Sequence, residues 1–181
     1  MIELELTYLA KSVPQNIKDC PNKVIIDLYI ENGTDHSDLR IRKNADRFEL
    51  TRKTPVEDGD ASKQTEITIN ISETEFNSFL PVKARRVEKI RYFCDFEGRT
   101  AEFDVFTGDL EGLVVVDFEF GDEKEKDLFQ MPEFCLADIT QEKFIAGGVL
   151  AGRSYEDVKD ELSRFGYEKL IVHFFLENIL Y

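Results

Sequence analysis

Seven short stretches of this chain place polar or charged residues two apart, with apolar residues between them. Glu3 and Glu5 do so in IELEL, Arg40 and Arg42 in LRIR, and Lys89 and Arg91 in VEKIRY. Glu102 and Asp104 repeat the pattern in AEFDVF, as do Asp117 and Glu119 in VVVDFEF. Lys53 follows Thr51 by the same step, and Glu66, Thr68 and Asn70 alternate with Ile67, Ile69 and Ile71. Successive side chains of a β-strand point to opposite faces, so each pair shares a face. Acids and bases are sorted by strand. Arg forks and Lys ammonium groups suit phosphate oxygens. Clustered carboxylates suit hard divalent cations such as Mg²⁺ or Mn²⁺. In one cavity the two sets would serve metal-assisted phosphoryl chemistry.

Positioning those pairs takes many strands. IELELTYL, KVIIDLYIENG, SDLRIRKNADRFELTRKT, KQTEITINI, ARRVEKIRYFCDFEG, RTAEFDVF and LVVVDFEFG read as strands, with turns at Asn32-Gly33, Asn44-Ala45-Asp46 and Glu97-Gly98. Strands at such short spacing point to an antiparallel barrel or sandwich. An open sheet with one wet face would alternate in the same way. The recurrence of sign-sorted pairs on nearly every strand favours a closed barrel with a polar, charged interior. Unpaired charges there would be prohibitive, so the interior calls for a ligand that brings dense negative charge and metal.

Helices are expected around this body. SVPQNIKDC has Ser12 as an N-cap and Pro14 in the first turn. SETEFNSF opens with a capping box, Ser72 and Glu75. SYEDVKDELSRFG spaces Tyr155, Val158, Leu162 and Phe165 helically behind Ser154 and stops at Gly166. YEKLIVHFFLENILY is apolar on more than one side and is expected to pack on the body. The reading is one α+β domain over residues 1–181, a β-body to residue 151 and a C-terminal helical extension over 152–181.

Composition sets further bounds. With 181 residues the chain can bury one sizeable core, and a formal net charge of −14 argues against binding nucleic acid polymers. The three cysteines, Cys20, Cys94 and Cys135, fit a reducing compartment better than a disulfide scaffold, and Cys94 is expected as a buried, inert thiol. The start MIELELTYLA has no basic leader, and no segment approaches a membrane span. The expectation is a cytoplasmic protein, monomer or homodimer, with no membrane partner. His36 and His173 stand isolated, with no second metal-type histidine near either.

IELEL, LRIR, LTRK, VEKIRY, EFDVFTGDLEGLVVVDFEF and DITQEKF resemble, in order, the signature strands of the CYTH family, also called triphosphate tunnel metalloenzymes. The resemblance covers roughly residues 2–151, and the block 88–120 is its most specific part. It implies an eight-stranded antiparallel β-barrel, or tunnel, flanked by helices. It also implies metal-dependent hydrolysis of a small triphosphate, inorganic or organic. By the same resemblance Glu3, Glu5 and Glu119 look like metal ligands, with Asp117 close by. Arg40, Arg42, Lys53 and Arg91 look like phosphate holders, and Lys89 with Tyr29 looks like the pair that handles protons at water or the leaving group. Glu66, Glu102 and Asp104 would line the tunnel, and Phe144 would lie near a segment closing one end. The opening departs from the family's ExExK, because Thr7 stands where the lysine is expected. Loss of one charge-assisted phosphate contact costs about 1.5–3 kcal/mol. Two alternatives therefore stand beside the hydrolase: a non-catalytic binder of polyphosphate or nucleotide, and a class IV-type adenylate cyclase.

Overall fold

The structure is a computed structural model and describes residues 2–34, 37–57 and 59–172. Its strands are β1 (Ile2–Ala10), β2 (Asn22–Ile30), β3 (Leu39–Asn44), β4 (Arg47–Pro55), β5 (Lys63–Ile71), β6 (Ala84–Phe96), β7 (Arg99–Phe106), β8 (Val114–Phe120) and β9 (Cys135–Asp138). The order β5-β4-β3-β2-β6-β7-β8-β1 returns to β5, so eight strands close a barrel, and β9 adds to the far end of β1. The closing seam is short: Ile2 faces Thr65, Glu3 faces Gln64 and Leu4 faces Lys63. The expected turns form. Glu97 and Gly98 adopt φ 53° and 78°, the left-handed pair that a two-residue hairpin requires, and Ala45 adopts φ 56°.

Helix α1 (Glu73–Phe79) carries the full capping box, with Glu75 N donating to Ser72 Oγ and Ser72 N donating to Glu75. Helix α2 (Glu123–Leu128) is capped by Asp122, and α3 (Gly147–Leu150) follows a short 3₁₀ turn at Lys143–Ile145. Helix α4 (Tyr155–Ser163) begins at the expected Ser154 cap and buries Tyr155, Val158 and Leu162.

Two apolar clusters pack against the barrel, one outside it and one within an end. Leu4, Tyr8, Phe103, Val105, Val114, Val116 and Phe118, on the outward faces of β1, β7 and β8, form one cluster beneath Phe129 and Phe134. The second cluster fills one end of the barrel. There the inward side chains Leu9, Tyr29, Val87, Phe106 and Val115 join Phe144, Leu150 and the buried face of α4. Each large apolar side chain so buried contributes about 1.5–3 kcal/mol. Among the described residues no helix is long and apolar enough to cross a membrane.

Three expectations are corrected. SVPQNIKDC forms a single 3₁₀ turn, Ile17–Asp19, and no α-helix. Ser12 does not cap it: the turn's N-cap position is Asn16, and the N–H groups of Lys11 and Ser12 donate to the Phe134 carbonyl. Cys94 is not a thiol: it is bonded to Cys20, with Cα atoms 5.3 Å apart. The disulfide removes the cysteine count as an argument for a reducing compartment. Cys135 does stay a buried free thiol, pushed by burial up to about 12. Third, residues 167–172 are not helical. Tyr167 is pinned to β8 instead, its hydroxyl donating to Gly112 O at 2.9 Å and accepting from Val114 N at 2.8 Å. The rest of the expected last helix, with His173, lies outside the described residues, as does His36.

Candidate active site

The ladders place the chemistry-bearing residues on one inward surface. Glu5 faces Glu119, Thr7 faces Asp117, Asp117 faces Glu102, and Asp104 faces Arg91. Arg91 in turn faces Lys23, Arg42 faces Asp27, Arg40 faces Tyr29, and Lys53 faces Glu66. Residues directly opposite across a ladder share a face. Their strand neighbours form the outer apolar cluster, so the polar set points into the barrel.

Arg91 is the hub of one wall. It donates through Nε to Asp104 at 2.6 Å and through Nη2 to Asp117 at 2.9 Å, and it is also bonded to Glu102. Lys89 ends on Asp104 as well. Burial would raise the Asp104 pKa, but Arg91 and Lys89 together hold it well below the ordinary carboxylate range. Asp117 goes the other way. Burial raises it, the nearby Glu5 and Asp104 raise it further, and the shared Arg91 does not offset them. Thr7 completes this corner, its hydroxyl donating to Asp117 Oδ1 at 2.9 Å.

The opposite wall is built on β1, β3, β4 and β5. Lys53 is bonded to Glu3 and lies 3.3 Å from Glu66. The Thr51 and Thr68 hydroxyls meet at 2.9 Å, and Thr68 also bonds Glu66. Arg42 is held by Asp27. Arg40 differs from Arg42 and Arg91, which end on carboxylates. Its Nη1 reaches the Tyr29 hydroxyl at 3.5 Å, and its Nε is buried without a hydrogen-bond partner.

Glu3, Glu5 and Glu119 can offer one carboxylate oxygen each within 4.8 Å of one another. Three oxygen donors at such spacing suit Mg²⁺ or Mn²⁺. Burial is the main reason Glu3 and Glu119 have raised pKa values, with like-charged neighbours adding to it. Asp117, expected beside these ligands, is turned instead toward Arg91 and Thr7.

Tyr29 and Lys89 are not in contact among the described hydrogen bonds. Tyr29 stands opposite Arg85 on β6, four residues from Lys89, a separation of about 13 Å along the strand. Tyr29 belongs to the apolar end of the barrel, where Phe144 also packs as expected. Asp27 and Lys23 are inward residues that sequence reasoning missed. Both share the parity of Tyr29 in NKVIIDLYI, which was the available signal.

The comparisons with known proteins agree with this geometry. The family model described as the CYTH domain matches residues 15–138. The chain is 31% identical over 153 residues to the inorganic triphosphatase of Nitrosomonas europaea, covering 83% of this chain and 97% of the relative. It is 34% identical over 74 residues to the inorganic triphosphatase of Acetivibrio thermocellus, covering 41% and 46% of the two chains. Among solved structures, that of an inorganic triphosphatase superposes with TM-score 0.60 at 26% identity, over 83% of this chain and 94% of the other. A putative adenylate cyclase from Bacillus halodurans superposes with TM-score 0.54 at 13% identity, over 99% of both chains, a likeness of fold alone. The closed eight-stranded barrel, its inward acids and bases, and these matches place the chain in the CYTH domain family.

Proposed function

We propose that the chain hydrolyses a phosphoanhydride bond of a triphosphate, with inorganic triphosphate as substrate and Mg²⁺ or Mn²⁺ as cofactor. Arg40 carries the reading. A guanidinium inside the barrel with a buried, unpartnered Nε costs free energy until an anion completes it. The similarity to inorganic triphosphatases supports the choice of anion. Arg40, Arg42, Lys53 and Arg91 would hold phosphate oxygens, exchanging part of their present carboxylate contacts for them. Glu3, Glu5 and Glu119 would hold the divalent cation. Bound there, the cation supplies charge stabilisation to the phosphoryl oxygens and orients the attacking water. Lys89, fixed by Asp104, would present a proton to the leaving phosphate oxygen. Tyr29 would orient Arg40 through its hydroxyl. Glu66, Glu102 and Asp104 would hold the cations at fixed positions along the wall.

A second reading rests on Thr7, whose hydroxyl occupies the Asp117 contact on the face where the family carries a lysine. In it the barrel binds the anion without cleaving it. Phosphate release from inorganic triphosphate, with Mg²⁺ or Mn²⁺, separates the two. The hydrolase reading expects metal-dependent release by the wild type and its loss in Glu5→Gln. Release by Thr7→Lys alone would favour the binder.

A further inference from the structure

Lys23, like Arg40, differs from most of the inward cations. Lys53, Lys89, Arg42 and Arg91 each end on a carboxylate. Lys23 faces Arg91 across the β2–β6 ladder, and its ammonium lies 4.9 Å from the Phe93 ring centroid. Among the described residues no carboxylate comes within ion-pair distance of it. Its pKa is pulled down, first by burial and then by Arg91, against the opposing pull of Glu102. The position is also firmly built. Phe93 N donates to Pro21 O at 2.8 Å, and the Cys20–Cys94 disulfide flanks both Lys23 and Phe93. Lys23 is thus a half-buried ammonium on a firmly held backbone, with no carboxylate partner among the described residues.

Its place in the barrel says what it can meet. Lys23 stands where β2 begins and β6 nears its end, opposite the end filled by Leu9, Tyr29, Phe106, Val115 and Phe144. A triphosphate held by Arg40, Arg42, Lys53 and Arg91 extends away from the filled end, and Lys23 faces Arg91 on that open side. In inorganic triphosphate the end on that side is a free terminal phosphate with its extra negative charge. In a triphosphate ester it is the phosphate that carries the organic group, because the filled end leaves that group nowhere else to go.

We infer that Lys23 is a substrate-binding residue that selects a free terminal phosphate over an esterified one, and so favours inorganic triphosphate over nucleoside triphosphates. The inference rests on the function proposed above and names the specificity of that same site. A charge-assisted bond from Lys23 strengthens with the charge of the phosphate it meets. A neutral sugar pressed against Lys23 would leave a half-buried ammonium unpaired.

The test measures KM for inorganic triphosphate and Ki for ATP as its competitor, with Mg²⁺, in wild type, Lys23→Met and Lys23→Arg. Methionine keeps an unbranched stem over Phe93 and removes the charge. In Lys23→Met the KM should rise about tenfold or more, and the Ki of ATP should rise several-fold less. Lys23→Arg should retain the wild-type ratio. An unchanged KM, or equal rises in KM and Ki, would overturn the inference, since a merely structural role moves both together. If the wild type releases no phosphate, the hydrolase reading fails by itself. Calorimetric Kd values for the two anions then give the same ratio, and an identical ratio in wild type and Lys23→Met overturns the role of Lys23 separately.

Discussion

Arg42 grips Asp27 by two parallel hydrogen bonds across the β2–β3 ladder, Nε to Oδ1 at 2.6 Å and Nη2 to Oδ2 at 2.8 Å. Asp27 is 2% exposed. Burial alone would raise its pKa, but Arg42, with Arg40 and Lys89 behind it, brings it from 3.8 down to about 2. A carboxyl whose folded pKa is depressed stabilises the fold above its unfolded pKa, and that stability is lost as the pH falls through the folded one. The shift corresponds to about 2 kcal/mol.

Asp27→Asn should therefore cost about 3–5 kcal/mol at neutral pH, because Arg42 stays buried and charged without its partner. Urea denaturation measures the loss. The gap to wild type should narrow between about pH 4 and about pH 2, as Asp27 itself takes up a proton. A gap that ignores pH across that window would show that the pair is not an ion pair.

Metal binding should compete with protons. Glu3 and Glu119 have raised pKa values, chiefly through burial, so they keep protons at a higher pH than ordinary carboxylates. Ligation needs the ionised form, so Mn²⁺ or Mg²⁺ affinity should fall as the pH drops from neutral toward the ordinary carboxylate range. Calorimetry in buffers of different ionisation enthalpy should detect the released protons. Glu5→Gln should weaken binding further, since it removes one of the three converging oxygens.

Gly147 is held free of a side chain by Tyr29. A Cβ at that position would lie 2.2 Å from the Tyr29 hydroxyl and 3.0 Å from its ring. Gly147→Ala should cost about 1–3 kcal/mol and lower the melting temperature. Adding Tyr29→Phe removes the closest atom and should recover part of the loss, a coupling that a double-mutant cycle reads directly. Independent, additive losses would mean that α3 can shift away from Tyr29.

The Cys20–Cys94 bond spans 74 residues of chain. By the chain-entropy model such a closure stabilises by about 4 kcal/mol. Reductant should lower the urea midpoint of the wild type and leave that of Cys94→Ser unchanged. Equal response of both proteins to reductant would show that the bond is not what reductant acts on.

The barrel was legible in the sequence because alternation is a local property. Glu3 and Glu5, Arg40 and Arg42, and Asp117 and Glu119 could be assigned to one face from their two-residue spacing. Register was not legible, since it is fixed by which strands lie side by side. Hence Asp117, two residues from Glu119, is turned to Arg91, and Tyr29 stands well along the strand from Lys89. Asp27 was hidden among isoleucine, leucine and tyrosine, where its strand reads as plain core. The cysteine pairing needed the three-dimensional proximity of the segment before β2 and the end of β6, which a count of three cysteines does not supply.

The short join between β1 and β5 makes the barrel a cuff with a small clasp. Three facing pairs close it, from Ile2–Thr65 to Leu4–Lys63, while β5 runs on past them with Ile67 and Ile69 exposed. Glu3 lies on one side of that clasp, and Lys53 and Glu66 lie on the other. The Glu3–Lys53 ion pair is therefore also a latch across the join. An anion that draws Lys53 away unfastens it, and a divalent cation that claims Glu3 does the same from the other side. Site filling and ring closure then compete for the same two side chains, and the amides of Ile2–Leu4 and Lys63–Thr65 should exchange hydrogen faster once the site is filled.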